Sequence, residues 1–169
     1  MLPSDDLGSS WFRADSLLGT FRIMFLAVVG VLVLVGNAVL LIWYVADAAP
    51  EPNRLVTAGV VLAGLASLGL PRLLDPGVDC SSDDALVASF RTRFVVRIAI
   101  AESAALVGFA SFLATGEPWH YPLGAAFTAI GLARVAPTDA NLARLEERLR
   151  LDGCPVSLVD VLTSRRTLR

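Results

Sequence analysis

Charged side chains are scarce in this chain, and lysine is absent altogether. Of the 169 residues, 18% are charged and 55% are hydrophobic, whereas soluble domains carry about a quarter charged residues. The apolar residues are also gathered into long runs, which a soluble core does not require. The composition therefore excludes an ordinary soluble domain and predicts an integral membrane protein.

Histidine and cysteine are also rare. One histidine, His120, and two distant cysteines, Cys80 and Cys154, leave no cluster from which a metal site is built. Neither cysteine belongs to a C-x-x-C pair, so two unpaired thiols are expected. A Cys80–Cys154 bridge stays open, because both residues fall on the same predicted side of the membrane.

The sequence also lacks a basic stripe and a catalytic constellation. A net charge of −2 and an isoelectric point near 5.3 argue against a nucleic-acid partner. There is no nucleophile–base pair and no nucleotide-binding loop, so we expect neither an enzyme nor a bound cofactor. His120 stands between Trp119 and Tyr121 and is expected at the membrane interface.

Four apolar segments predict transmembrane helices, at about residues 21–45, 54–74, 91–115 and 122–136. Tight turns join the first segment to the second and the third to the fourth, so the expected fold is all-α: an integral membrane four-helix bundle made of two antiparallel hairpins. Residues 1–20 are expected to form a cytoplasmic or interfacial segment. Residues 137–169 are expected to form a cytoplasmic amphipathic helix and a basic tail.

Small residues recur at every fourth position along these segments. This spacing places them on one helix face and lets a neighbouring helix approach closely. The residues expected to pack in this way are Gly59, Ala63, Ser67, Ala104, Gly108, Ala125 and Ala129.

Arginine is distributed unequally among the connecting segments. The N-terminal segment, the second loop and the C-terminal region hold nearly all of the arginines, whereas Arg54 alone lies in the other two loops. The positive-inside rule then predicts a multi-pass protein of the bacterial inner membrane with both termini in the cytoplasm. The arginines expected at the lipid headgroups are Arg91, Arg93, Arg97 and Arg134.

Glu102 lies near the middle of the third predicted span, about 16 Å from either end. An ionisable residue at this depth is costly, and such residues often serve a function. Its candidate polar neighbours are Asn37, Ser67, Ser103 and Thr128. Two interpretations stay open: a reversible proton or ion site, and a protonated carboxyl group that fastens helices together.

The stretch AIAESAALVGF at residues 99–109 resembles the ion-carrying helix of rotary ATP synthase c subunits, which share an A-x-x-E-x-x-A-x-x-G pattern. The resemblance covers one helix and implies that Glu102 is a proton or sodium site. The preceding span is poorer in glycine than in that family, and the loop between the two is long and acidic. The overall layout resembles small four-span bacterial membrane proteins of unknown function.

Two functions are therefore expected. The first is an accessory or interaction subunit of a membrane complex, whose partners are membrane lipids and other membrane subunits or further copies of the chain. The alternative is a c-subunit-like protein that handles protons or ions at Glu102.

Overall fold

The chain is all-helical throughout the part that the computed structural model describes, residues 16–46, 53–74 and 77–163. Helices account for 84% of these residues, and no strand occurs among them. The six helices are α1 Leu17–Ala46, α2 Arg54–Leu73, α3 Asp83–Thr115, α4 His120–Val135, α5 Asp139–Leu151 and α6 Leu158–Thr163. Most of the predicted interfacial segment (residues 1–15) and the basic tail (residues 164–169) lie outside the described residues.

Three helices are long and apolar enough to cross a membrane. They are Leu17–Val45, Arg54–Leu73 and Asp83–Thr115, with 29, 20 and 33 residues. These correspond to the first three predicted spans. The fourth predicted span coincides with α4, which has 16 residues and is not among the three.

Local side-chain hydrogen bonds explain where several helices begin. Asn53 caps α2 by accepting from the amides of Leu55 and Val56. Ser82 accepts from the amide of Ala85, so α3 begins at Asp83 and not at residue 91, where the predicted span begins. Such caps satisfy amides that have no partner within the helix.

Two compact units share the chain. The first comprises residues 1–29, 77–91 and 136–169, and the second comprises residues 30–76 and 92–135. Helices α1 and α3 each contribute to both units.

The first unit contains a buried arginine. Arg22 is 6% exposed, and its Nη2 atom lies 2.7 Å from Oδ1 of Asp139, at the start of α5. Its Nε atom also donates to the carbonyl of Pro137 over 3.3 Å. This pairing joins α1 to the segment that leads into α5 and compensates the burial of the guanidinium group.

A disulfide bond joins Cys80 and Cys154, whose Cα atoms are 5.5 Å apart. The expectation of two unpaired thiols is therefore wrong, and the alternative of a bridge is the one observed. Because the bridge closes a loop across 74 residues, it stabilises the fold by about 4 kcal/mol in the chain-entropy account. It connects the segment before α3 to the segment after α5.

Helix α5 buries its apolar stripe within the first unit. Leu142 and Leu149 are 5% and 6% exposed, and α5 contacts α6. The apolar side chains of the predicted amphipathic helix therefore pack inside the first unit. On the exposed face, hydrogen bonds from Arg150 hold the pKa of Glu147 below its ordinary value.

The second unit has a small apolar core. Val39, Ala105, Phe112 and Tyr121 are each at most 5% exposed and pack together. The hydroxyl group of Tyr121 donates to the carbonyl of Leu32 on α1. Helices α1, α3 and α4 therefore meet in this core.

Candidate functional site

Glu102 occupies the half-buried side of α3 in the second unit. It follows Ala101 and precedes Ala104 and Ala105, which are 2%, 0% and 1% exposed. Within the described part of the chain, no hydrogen bond or ion pair reaches its carboxyl group. Glu102 thus lies at the edge of a packed helix contact and not in a cage of ligands.

The four predicted polar neighbours of Glu102 each donate a hydrogen bond to a backbone carbonyl. The donor–acceptor distances are 2.7 to 2.8 Å, and the pairs are Asn37 with Val33, Ser67 with Gly64, Ser103 with Ile100 and Thr128 with Ala101. Three of these acceptors lie on the same helix as the donor. Only Thr128, on α4, crosses to the helix that carries Glu102.

Thr128 bridges the backbone turn that contains Glu102. Its fully buried hydroxyl group donates to the carbonyl of Ala101 and accepts from the amide of Ala105 over 3.0 Å. In a regular helix that amide and that carbonyl bond to each other. A side chain of α4 is therefore inserted beside the α3 turn, where its hydroxyl group both donates and accepts a hydrogen bond.

Glycines bring α3 and α4 into backbone contact on both sides of this bridge. A Cβ atom on Gly124 would lie 2.3 Å from the carbonyl oxygen of Ala104, and one on Gly108 would lie 2.5 Å from that of His120. A Cβ atom on Gly131 would lie 2.8 Å from the Cβ atom of Ala101. Only glycine permits this approach without displacement of the partner helix.

The other predicted packing residues occupy varied positions. Ala104 and Ser67 are buried, and Ala63 and Ala125 are half-buried, whereas Gly59 and Ala129 are exposed. Helix α2 instead approaches α4 at Gly64, where a Cβ atom would lie 2.3 Å from the ring of Phe127. Of the predicted headgroup residues, Arg91 and Arg134 are exposed, and Arg93 and Arg97 are half-buried.

His120 has contacts that its position in the sequence did not predict. Its side chain is 1% exposed, so the imidazole is buried within the protein. Nε2 lies 3.0 Å from the hydroxyl group of Thr57 on α2, and Nδ1 lies 3.1 Å from that of Thr115 at the end of α3. His120 thereby joins the ends of three helices.

The hydroxyl group of Thr115 also donates to the carbonyl of Ser111 over 2.8 Å, and that of Thr57 donates to the carbonyl of Asn53 over 3.2 Å. The side chains of His120, Thr57 and Thr115 thus provide hydrogen bonds between helix ends. No group of three or more metal-binding side chains occurs among the residues that the structure describes.

Comparisons of the chain with protein-family models, with curated proteins and with solved structures found no match.

We expect Gly124→Ala to lower the stability of the folded protein by about 3 kcal/mol, because the new methyl group would overlap a backbone carbonyl that cannot turn aside. The matched control is Gly59→Ala on α2, where the methyl group meets open space and helix propensity improves by up to about 1 kcal/mol. Denaturation midpoints in detergent measure both effects. Equal midpoints for the two variants would contradict the α3–α4 contact.

Proposed function

We propose that this chain is a multi-pass membrane protein that acts as an accessory or interaction subunit of a membrane complex. The observation that carries the proposal is the apolar surface that the fold leaves uncovered. In the most apolar stretch of α1 only 6% of the residues are buried, and the corresponding fractions for α2 and α3 are 17% and 33%. Lipid or other membrane subunits must cover such a surface.

In this proposal α4 is the fourth helix of a membrane bundle. Its 16 residues extend about 24 Å, which is shorter than the roughly 30 Å hydrocarbon layer. Its contacts support a membrane position nonetheless, because Gly124 and Thr128 engage α3 while Phe127 engages α2. A short helix held between two longer ones requires little lipid contact of its own.

The remaining part of the proposal is a role in binding. The uncovered faces of α1 and α2 carry large apolar side chains, including Leu34, Leu41, Leu55 and Leu62, which are 64 to 85% exposed. Faces of this kind suit lipids and membrane helices. The partners proposed here are therefore other membrane subunits or further copies of the chain.

Affinity purification from membranes in mild detergent tests this role. A tagged chain is expected to retain one or more membrane proteins at fixed stoichiometry, detected by native mass spectrometry. The untagged chain, expressed equally, controls for carry-over of lipid and protein. Recovery of a clean monomer from fresh membranes would count against an accessory role.

We further propose that both termini lie in the cytoplasm, as the arginine distribution predicts. An even number of spans is consistent with this orientation. The Cys80–Cys154 bridge then belongs to the cytoplasmic side. Disulfide bonds on that side are usually transient or redox-sensing, because the cytosol keeps thiols reduced.

The accessibility of the two cysteines tests the orientation. Intact cells are treated with a membrane-impermeant phosphine and then with a membrane-impermeant maleimide. We expect no modification of Cys80 or Cys154 until the membranes are opened. The control is Glu117→Cys, in the loop before α4, which should react in intact cells. Modification of the native cysteines in intact cells would instead place the bridge outside the cytoplasm.

A second candidate function is proton binding at Glu102, which the resemblance to c subunits implies. The observation that favours it is a carboxyl group on a candidate span with no partner among the described residues. Its predicted polar neighbours Ser67, Ser103 and Thr128 donate their hydrogens to backbone carbonyls. A proton on the carboxyl group suits these surroundings better than a coordinated cation.

A hydrophobic carbodiimide tests this second candidate, because it modifies protonated carboxyl groups in apolar surroundings. Glu102 is expected to be the modified residue in membranes, with less modification as the pH rises. Glu102→Gln should abolish the signal, whereas Glu117→Gln, a half-buried loop carboxyl group, should leave it unchanged. Equal modification of the wild-type chain and Glu102→Gln would contradict proton binding at Glu102.

A further inference from the structure

One face of α1 combines a coiled-coil spacing with a polar side chain. Gly30, Leu34, Asn37, Leu41 and Tyr44 follow one another at intervals of four, three, four and three residues, and all five are exposed. Leu34, Leu41 and Tyr44 are 69%, 64% and 84% exposed. We call these five residues the α1 outer face. Alternation of three and four residues keeps a set of side chains on one side of a helix.

The opposite side of α1 is already occupied. Val39 is 1% exposed and belongs to the core of the second unit, and Leu32 and Val35 pack against that core. At 100° per residue, Asn37 lies about 160° around the helix from Val39. The α1 outer face is therefore directed away from the contacts that hold α1 in the fold.

Asn37 is the unusual member of this face. Its Nδ2 atom donates to the carbonyl of Val33 over 2.8 Å. Within the described part of the chain, its second N–H and its Oδ1 atom have no partner. An amide that faces hydrocarbon with unsatisfied bonding groups is destabilising by several kcal/mol in the water-to-hydrocarbon limit.

A carboxamide group can both donate to and accept from a second carboxamide group. A second copy of the same helix is therefore a suitable partner for the α1 outer face. The amide of Asn37 retains one donor and one acceptor, so the same side chain on a symmetry-related copy satisfies both. Charge does not oppose such a contact, because residues 30–46 include no charged side chain. Gly30 has open space around the position of a Cβ atom, which allows a second helix to come close.

We propose that the α1 outer face binds the same face of a second copy of this chain, with the two Asn37 amides hydrogen-bonded across a two-fold axis. The spacing of the face favours a left-handed crossing of about 20°. A polar side chain at one such position selects the register and the number of helices. This inference rests on the proposed membrane location and names one partner of the proposed interaction subunit.

Photocrosslinking in native membranes tests the interface without altering Cys80 or Cys154. The photoreactive amino acid benzoylphenylalanine replaces Leu34 on the α1 outer face or, as a control, Leu62 on α2, which is similarly exposed at 66%. We expect a cross-linked homodimer from position 34 and little from position 62. Cross-links at position 34 to lipid alone, or to a different protein, would overturn the proposal.

The contribution of the amide is measured by energy transfer between labelled chains in vesicles. Asn37→Val should weaken dimerisation by about three- to thirtyfold, the range seen for interhelical polar contacts in membranes. Asn37→Gln, which keeps the amide, should retain more of the dimer. Asn37→Val should also keep the monomer fold by circular dichroism, because Asn37 bonds only to its own helix. Unchanged dimerisation of a folded Asn37→Val variant would contradict the proposed contact.

The result also separates this inference from the proposed function. A chain that stays monomeric at every dilution in vesicles, and yet co-purifies with another membrane protein, excludes the α1 interface and preserves the accessory role. A homodimer that recruits no further protein preserves the α1 interface and excludes a larger complex.

Discussion

Contact between the backbones of α3 and α4 is the constraint on which the second unit depends. Gly108 and Gly124 leave no room for a Cβ atom, because carbonyl oxygens of the facing helix occupy that space. Thr128 then reaches the α3 backbone and bridges Ala101 and Ala105. In an apolar medium every backbone group needs a partner within the protein, and the buried hydroxyl group meets that requirement for the turn that contains Glu102.

The first unit depends on different interactions. A buried guanidinium group, a disulfide bond and the apolar stripe of α5 hold together segments that are far apart in the sequence. The burial of Arg22 is tolerated because Asp139 and a carbonyl group receive its hydrogen bonds. Because the fold itself covers the stripe of α5, the large apolar surface left for lipid or partners lies on the candidate spans and not on this helix.

Six polar residues of the second unit form two groups. Thr57, Thr115, His120 and Thr128 bond across helices and bind α2, α3 and α4 to one another. Asn37 and Ser103 bond to carbonyls of their own helices and remain exposed. The first group is structural. Asn37 and Glu102 have bonding groups without a partner in the described part of the chain, and the proposed α1 contact and the proposed proton site rest on these two residues.

The sequence by itself determined the helical class and the three candidate spans. Those features depend on local composition and on the length of the apolar runs. The burial of His120 was not foreseeable, and the sequence left the Cys80–Cys154 bridge as one of two alternatives, because the partners lie 63 and 74 residues apart in the chain. The small-residue pattern similarly indicated close helix contacts without deciding which glycines make them: Gly59 meets open space, while Gly124 meets a carbonyl oxygen. The tertiary structure decided this. Small residues recur on several helices, whereas a close contact also requires a neighbouring helix at that position.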